Sequence, residues 1–301
     1  MKNRFKTIIK NVNTVRKYML MDRVNKSLVN NIICEAEVID YISKYSYVLN
    51  NSQLCFSNRK FIDKIWILWY QGIDFAPLIV KKCLESVRRF SEGIEIIILD
   101  EKNIKDYISI PDYVYEKKKM GYITNTHFSD ILRACLLAEH GGIWIDSTVM
   151  LTAPIPKIYL NSPFFCFSTT PVDFRGVTNI AASSWFIYSN GMNVTMNTVK
   201  KLLLEYWKFE TEIRHYYLFH LFFNYVISTN NECKNEWEEV PFFSNIPPQV
   251  MQIELFQDYS EERFNQITKM SSIHKLSFYG GSQYDIDKPN TIYKHLILNL
   301  F

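Results

Sequence analysis

"FSDILRACLLAEHGGIWIDSTVML" (residues 128–151) has the pattern of a helix, a double glycine and a buried strand in direct succession. Ser129 is predicted to cap the helix, Asp130 lies in a first turn where the helix dipole favours an anion, and Gly141 ends the helix. The pattern therefore predicts a helix that leads through the glycines into a strand.

The chain upstream of this stretch already alternates between strands and helices. Residues 64–70 (KIWILWY) and 94–100 (IEIIILD) are short apolar runs typical of buried strands. Residues 77–90 begin with proline and carry an apolar stripe at helical spacing. Residues 193–209 carry a similar apolar stripe. This order predicts an α/β fold with a mostly parallel sheet flanked by helices, in which ligands bind beyond the carboxyl ends of the strands.

Asp146 lies at that ligand-binding edge. Because side chains alternate along a strand, Ile143 and Ile145 face one layer while Trp144 and Asp146 face the other. The acid follows the last apolar residue of the strand, so we expect it at the strand's carboxyl end. It is a candidate ligand-binding residue.

Two ordinary structural roles compete with this interpretation. An aspartate in this position can cap a turn through the hydroxyl of Ser147 or Thr148. Asp130 and Arg133 stand one helical turn apart on the preceding helix, which is also the spacing of a surface ion pair. Turn capping at Asp146 does not account for the Asp130–Arg133 pair. The ligand-binding role and the ordinary structural roles of these residues therefore both stay open.

Length, composition and cysteine usage limit the class of protein. The 301 residues, 48% hydrophobic and 15% aromatic, are enough for one large α/β domain with an appendage. The six cysteines are widely spaced without a CxxC pair, which argues against a zinc site or a disulfide framework and favours a reducing compartment. No signal-peptide pattern or membrane-length apolar run is present, so we expect a cytoplasmic protein.

Basic charge is concentrated at the start of the chain. Residues 1–30 contain eight Lys or Arg and one Asp, a net charge of +7. Apolar residues recur there at helical spacing, which predicts a basic amphipathic helix that lies on the inner, anionic face of the plasma membrane. The alternative is a helix docked on its own domain. Nucleic acid is not an expected partner, because no reader motif accompanies the charge.

Residues 129–149 (SDILRACLLAEHGGIWIDSTV) resemble the S-D-x-x-R-x-x-x-L-x-x-x-G-G-x-[WY]-x-D-x-[DT] segment of the DXD-containing, sugar-binding glycosyltransferases. The resemblance is closest to the bacterial capsular polysaccharide synthesis glycosyltransferases, and it extends over most of residues 61–280. It implies a GT-A fold. We accordingly expect a helical N-terminal extension over residues 1–60 and a catalytic domain over residues 61–301.

The resemblance also implies roles for individual residues. Trp69 falls on the aromatic residue that stacks on the nucleobase, and Asp146 on the first acid of the D-x-D motif. Asp130, Arg133 and Asp146 are the implied catalytic residues. The implied set that binds the nucleotide-sugar comprises Trp69, Ser129, Asp130, Arg133, Trp144 and Asp146.

Thr148 departs from the D-x-D pattern, because it stands where the second acid is usual. Mg²⁺ and Mn²⁺ prefer hard oxygen ligands, and a hydroxyl is a weaker ligand than a carboxylate. We therefore expect a weakly held divalent metal, Mn²⁺ or Mg²⁺, with Asp146 and His274 as its protein ligands. The alternative for His274 is a hydrogen-bonded histidine at a strand end.

The expected activity follows from the resemblance. It implies transfer of a sugar from a nucleotide-sugar, UDP-hexose in particular, to a glycan or lipid-linked glycan in capsular or surface polysaccharide synthesis, with retention of the anomeric configuration. One alternative is a sugar nucleotidyltransferase, which the absence of a Gly-rich phosphate loop after the first strand disfavours. Another is an inactive, membrane-docked assembly protein.

Overall fold

The chain was analysed as a computed structural model. The structure describes residues 31–50, 64–169, 172–173, 176–177, 180–277 and 288–299. The predicted basic helix of residues 1–30 lies outside the described residues. Within the described ranges no helix is both long and apolar enough to cross a membrane, and the five cysteines that fall there are all free.

A five-stranded sheet forms the centre of the protein, with the strand order β2-β1-β3-β8-β5. The parallel pairs are β1 with β2 and β1 with β3, while β8 runs antiparallel to both of its neighbours. Four of the five strands therefore run in one direction, which confirms the predicted α/β fold with a mostly parallel sheet. The strands are β1 (Lys64–Leu68), β2 (Glu95–Leu99), β3 (Gly142–Ile145), β5 (Phe164–Ser168) and β8 (Ala182–Ser189).

The two faces of this sheet pack against different layers. Ile143 and Ile145 of β3 belong to an apolar cluster with Leu84 and Val87 of α3 (Leu78–Phe90). Trp144 belongs to the opposite cluster, which contains the buried faces of the larger helices. The alternation predicted for β3 is thus confirmed. The helices on the opposite face include α4 (Ile104–Tyr107), α5 (Asp112–Lys119), α6 (Asn125–Glu139), α7 (Val194–Phe209), α8 (Leu218–Thr229) and α9 (Asn231–Glu238).

Helix α6 begins five residues earlier than the sequence predicted. Thr124, not Ser129, is its N-cap, because the Thr124 hydroxyl accepts a hydrogen bond from the amide of His127. Ser129 and Asp130 therefore lie in the second turn, not at the cap and first turn. The predicted end is confirmed at Gly141, whose φ of 69° is left-handed. A Cβ on Gly141 would lie 2.5 Å from the backbone nitrogen of Gly191.

The C-terminal part adds a second, smaller unit of structure beside β3. Here β4 (Val149–Leu151) pairs antiparallel with β9 (Ile273–Lys275), with Val149 opposite Lys275 and Met150 opposite His274. This pairing brings the C-terminal segment next to the end of β3. The remaining elements are α10 (Ile246–Ile253), α11 (Glu261–Met270), α12 (Ile292–Asn299), and the two-residue strands β6 (Val172–Asp173) and β7 (Gly176–Val177).

The described part of the N-terminal region packs onto α7. Residues 31–43 form helix α1, followed by a 3-10 turn and the short helix α2 (Tyr47–Asn50). Glu210 anchors this region by accepting hydrogen bonds from Tyr41 (2.6 Å), Tyr45 (2.5 Å) and Lys44 (3.0 Å). The buried side chains of this region join the same apolar cluster as α7. The predicted division of the chain at residue 60 stays a prediction.

Candidate active site

Asp146 directly follows β3, at the carboxyl end of the strand. Its amide donates to the carbonyl of Trp185 on β8 (2.9 Å), and its carbonyl accepts from Val149 (2.9 Å), so a tight turn fixes its backbone. Its Oδ1 accepts hydrogen bonds from Nη2 of Arg133 (2.9 Å) and from Nε1 of Trp144 (2.9 Å). The acid is therefore held by side chains from both the preceding helix and its own strand.

Arg133 connects three of the predicted site residues. Its Nη1 forms an ion pair with Asp130 and its Nη2 with Asp146. Nη2 also lies 3.4 Å from the hydroxyl of Ser129. The guanidinium carbon lies 5.0 Å from the ring centre of Trp144. Only 4% of the Arg133 side chain is exposed. Because a buried arginine cannot lose its proton, it fixes a positive charge at this point.

The two acids on Arg133 differ in pKa because their surroundings differ. Burial raises the pKa of Asp130 to about 7; Arg133 opposes this rise and the charge of Asp146 adds to it. Burial alone would also raise the pKa of Asp146, but Arg133 and Lys275 outweigh that effect and hold it below the ordinary value. Asp146 is therefore ionised at neutral pH, whereas Asp130 titrates close to neutrality.

Lys275 is a site residue that the sequence analysis missed. Its Nζ lies 3.7 Å from Oδ2 of Asp146, donates to the hydroxyl of Thr148 (2.6 Å) and donates to the carbonyl of Leu276 (3.0 Å). The pairing of β9 with β4 places it there, since Lys275 stands opposite Val149. The sequence does indicate the right segment, because the strand that carries the predicted ligand His274 also carries Lys275. Lys275 points to the opposite face of that strand, and this is the face at Asp146.

His274 is placed differently from its prediction. Its side chain is fully buried, its Nε2 lies 3.0 Å from the hydroxyl of Thr152, and burial lowers its pKa to about 4. Neighbouring side chains on a strand point to opposite faces, so His274 and Lys275 cannot both face Asp146. His274 is not among the described residues that line either cavity at the site.

The residues present do not fit a metal held by Asp146 and His274. The Asp146 carboxylate is engaged by Arg133, Trp144 and Lys275, and the Thr148 hydroxyl accepts from Lys275. The described residues contain no group of three His, Cys, Asp or Glu side chains arranged to hold a metal ion. The Asp146 oxygens and the Thr148 hydroxyl thus already face positively charged or N–H partners. The expected Mn²⁺ or Mg²⁺ stays a prediction.

Two cavities meet at the Arg133–Asp146 pair, which lines both of them. The smaller, of about 280 Å³, is also lined by the predicted nucleotide-binding residues Trp69, Ser129 and Trp144. The larger, of about 340 Å³, is also lined by Asp130. The fold therefore brings together all six residues predicted to bind the nucleotide-sugar. Further residues of the larger cavity, which the sequence did not identify, include Ser183, Ser184, Trp185, Tyr216, Tyr217, His220, Asn245, Gln249, Gln252 and Lys275.

One protein family matches nearly the whole chain. Its sequence profile, described as "Capsular polysaccharide synthesis protein", matches residues 21–296. The chain belongs to this family. The match begins well before residue 61, where the resemblance noted in the sequence begins. No curated relative matches this chain.

Two solved structures are distantly similar to this chain. One, titled "PaToxG Glycosyltransferase", is 13% identical and covers 83% of this chain and 98% of its own, with a TM-score of 0.36. Another, described as a transferase mutant with two cysteine-to-serine changes, is 11% identical and covers 65% of this chain and 96% of its own, also with a TM-score of 0.36. Likeness at this level bears on neither substrate nor mechanism.

Proposed function

We propose that this protein is a glycosyltransferase of GT-A type that moves a hexose from a UDP-sugar to a hydroxyl of a glycan or lipid-linked glycan in capsular or surface polysaccharide synthesis. Family membership supports the biological role. The observation that carries the proposal is the partly buried Arg133–Asp146 pair, which lines two adjoining cavities at the carboxyl ends of the strands. Transfer between two substrates needs a site for the donor and a site for the acceptor, with charged groups held between them at the reacting atoms.

The smaller cavity suits the nucleoside part of the donor. Trp69 and Tyr70 offer aromatic surface there, on which a nucleobase can stack. A nucleotide in this position directs its diphosphate towards Arg133, which also lines the cavity. Arginine and other cations stabilise the charge that develops on a leaving diphosphate. In this arrangement the sugar extends past Asp146 into the larger cavity.

The larger cavity suits the transferred sugar and the acceptor. Trp185, Tyr216 and Tyr217 provide ring faces against which the C–H face of a sugar can pack, and amide and hydroxyl side chains provide hydrogen-bond partners. Asp130 and Asp146 are the two carboxylates among the described lining residues, and both are paired with Arg133. We propose transfer with retention, which nuclear magnetic resonance of the first-formed product tests through its anomeric configuration.

The N-terminal arm is proposed to hold the enzyme at the membrane. Its support is the net charge of +7 over residues 1–30 together with the apolar spacing of that segment. An anionic inner leaflet attracts such an arm and would place the active site near a lipid-linked acceptor.

A panel of UDP-sugars, incubated with the full-length protein without acceptor, tests the proposed function through release of UDP. We expect slow hydrolysis of at least one donor and its loss in Arg133→Leu, while the exposed-residue control Asp106→Asn keeps it. Pyrophosphate formation from a nucleoside triphosphate and a sugar phosphate would identify a nucleotidyltransferase instead. A folded protein that neither binds nor hydrolyses any donor would indicate an inactive assembly protein.

A further inference from the structure

Lys275 is not needed to give either acid at the site a positively charged partner. Arg133 on its own contacts both Asp130 and Asp146. Lys275 adds a second positive charge on the other oxygen of Asp146 and lines the larger cavity, with 22% of its side chain exposed. A lysine held between the partly buried pair and the cavity is positioned to meet an anion that enters the cavity.

Lys275 lies beside the residue that stands where the family motif usually carries its second acid. Its ammonium donates to Thr148, the residue that stands at the second acid position, and lies within ion-pair distance of Asp146, the first. A divalent ion on Asp146 would therefore lie beside the Arg133 guanidinium and the Lys275 ammonium, which repel it. In this protein Arg133 and Lys275 provide the positive charge that a metal ion provides in a two-acid site.

The contacts of Lys275 leave it able to bind a ligand. An ammonium group has three N–H donors, and two of them are directed to Thr148 and the Leu276 carbonyl. The third is left for Asp146, whose Oδ2 lies 3.7 Å away, beyond hydrogen-bond distance, or for a ligand in the cavity. The strand pairing of β9 with β4 fixes its backbone, since the Leu276 amide also donates to the carbonyl of Thr148 (2.9 Å). Such a preorganised donor stabilises developing negative charge without having to rearrange during the reaction.

We propose that the ammonium of Lys275 binds the leaving diphosphate of the sugar donor and supplies the positive charge that a metal ion supplies in a two-acid site. This inference rests on the proposed glycosyltransferase function. In the transfer step the bond between the sugar C1 and the phosphate oxygen breaks, with its electron pair on the diphosphate. The acceptor hydroxyl oxygen bonds to C1, and its proton goes to the released diphosphate. Asp146 then acts as a positioning residue that holds Arg133 and Lys275.

Calorimetric titration of the full-length protein with UDP and with uridine, in excess chelator, tests this role. Charge-assisted hydrogen bonds predict that Lys275→Met weakens UDP binding by about 10- to 100-fold. Uridine binding should stay within about twofold, because uridine lacks phosphates. Lys275→Arg should retain most of the UDP affinity, and the exposed-residue control Lys269→Met all of it. Excess Mn²⁺ should change the wild-type affinity for UDP by less than about threefold.

The outcomes separate this inference from the proposed function. Wild-type protein that binds neither UDP nor uridine would contradict the proposed function itself. Binding of UDP by wild type with equal affinity in Lys275→Met, or UDP binding that requires Mn²⁺, would overturn the role of Lys275 and leave the glycosyltransferase proposal in place. If Lys275→Met does not fold, UDP binding by Lys275→Arg and by wild type is compared in chelator and in Mn²⁺. A requirement for Mn²⁺ in either of these two proteins overturns the inference.

Discussion

Nη2 of Arg133 on α6 lies 2.9 Å from Oδ1 of Asp146 at the end of β3. Thirteen residues separate the two along the chain, and the double glycine between helix and strand allows them to meet. The pair joins the predicted donor cavity to the predicted sugar and acceptor cavity. The predictions below test what this pair and its neighbours contribute.

Asp146→Asn should lower donor hydrolysis by more than about tenfold, a barrier increase above roughly 1.4 kcal/mol. The amide cannot hold Arg133 and Lys275 by charge. Urea unfolding should show a loss of about 1–3 kcal/mol, because the partly buried ion pair with Arg133 becomes a hydrogen bond to a neutral amide. Asp106→Asn, at an exposed aspartate, is the matched control. Hydrolysis retained above a tenth of wild type would show that Asp146 is not needed for the reaction.

Trp69→Ala should weaken uridine binding by about 1–3 kcal/mol, the usual contribution of stacking a base on an aromatic ring. Trp69→Phe should recover most of this loss, since it keeps a ring in the cavity. Calorimetry with uridine measures both variants. Equal affinity in all three proteins would place the nucleobase elsewhere.

The pKa of Asp130 in the folded protein, about 7, should make stability depend on pH. Between about pH 4 and pH 7 the folded state holds a proton that the unfolded state has lost, so the unfolding free energy falls as pH rises, by up to about 1.4 kcal/mol per pH unit. Urea unfolding across this range measures the slope. It should be absent or much reduced in Asp130→Asn and unchanged in Asp106→Asn. Parallel curves for wild type and Asp130→Asn would contradict the prediction.

Glu210→Gln should loosen the N-terminal region from α7. Burial alone would raise the pKa of Glu210, but hydrogen bonds from Tyr41, Tyr45 and Lys44 lower it to about 2. Its contribution is therefore present above the unfolded value of about 4.5 and is lost as pH falls towards 2. We expect a loss of about 1–3 kcal/mol at neutral pH, and a smaller loss in acid. Glu212→Gln, at a mostly exposed glutamate, is the control. An equal loss of unfolding free energy in Glu212→Gln would contradict the role of Glu210 in anchoring the N-terminal region.

Deletion of residues 1–30 should abolish binding to anionic vesicles while hydrolysis of a soluble donor continues. Each basic residue near an anionic surface contributes on the order of 1 kcal/mol, and salt screens that attraction. Vesicle sedimentation at increasing salt measures the effect for the full-length protein. A deleted protein that no longer folds would instead show that the arm is docked on its own domain.

The amino-acid sequence alone predicted the order of elements from β1 to β3, the alternation along β3 and the position of Asp146. These features depend on local periodicity and on glycine at positive φ, both of which neighbouring residues determine. The start of α6 was placed too late. Thr124, Asn125 and Ser129 are all polar residues that can cap a helix, and only the backbone hydrogen bonds distinguish Thr124 from the others.

The tertiary structure alone decided which residues of the C-terminal segment reach the site. His274 and Lys275 are neighbours in a three-residue strand, and the sequence offers no way to tell which of them faces Asp146. The register of β9 against β4 decides this, and a shift of one residue would exchange the two side chains. Local patterns in the sequence determined the fold class and three of the four charged residues at the site, Asp130, Arg133 and Asp146. The fourth, Lys275, is 129 residues from Asp146 in the chain, and only long-range strand pairing brings the two together.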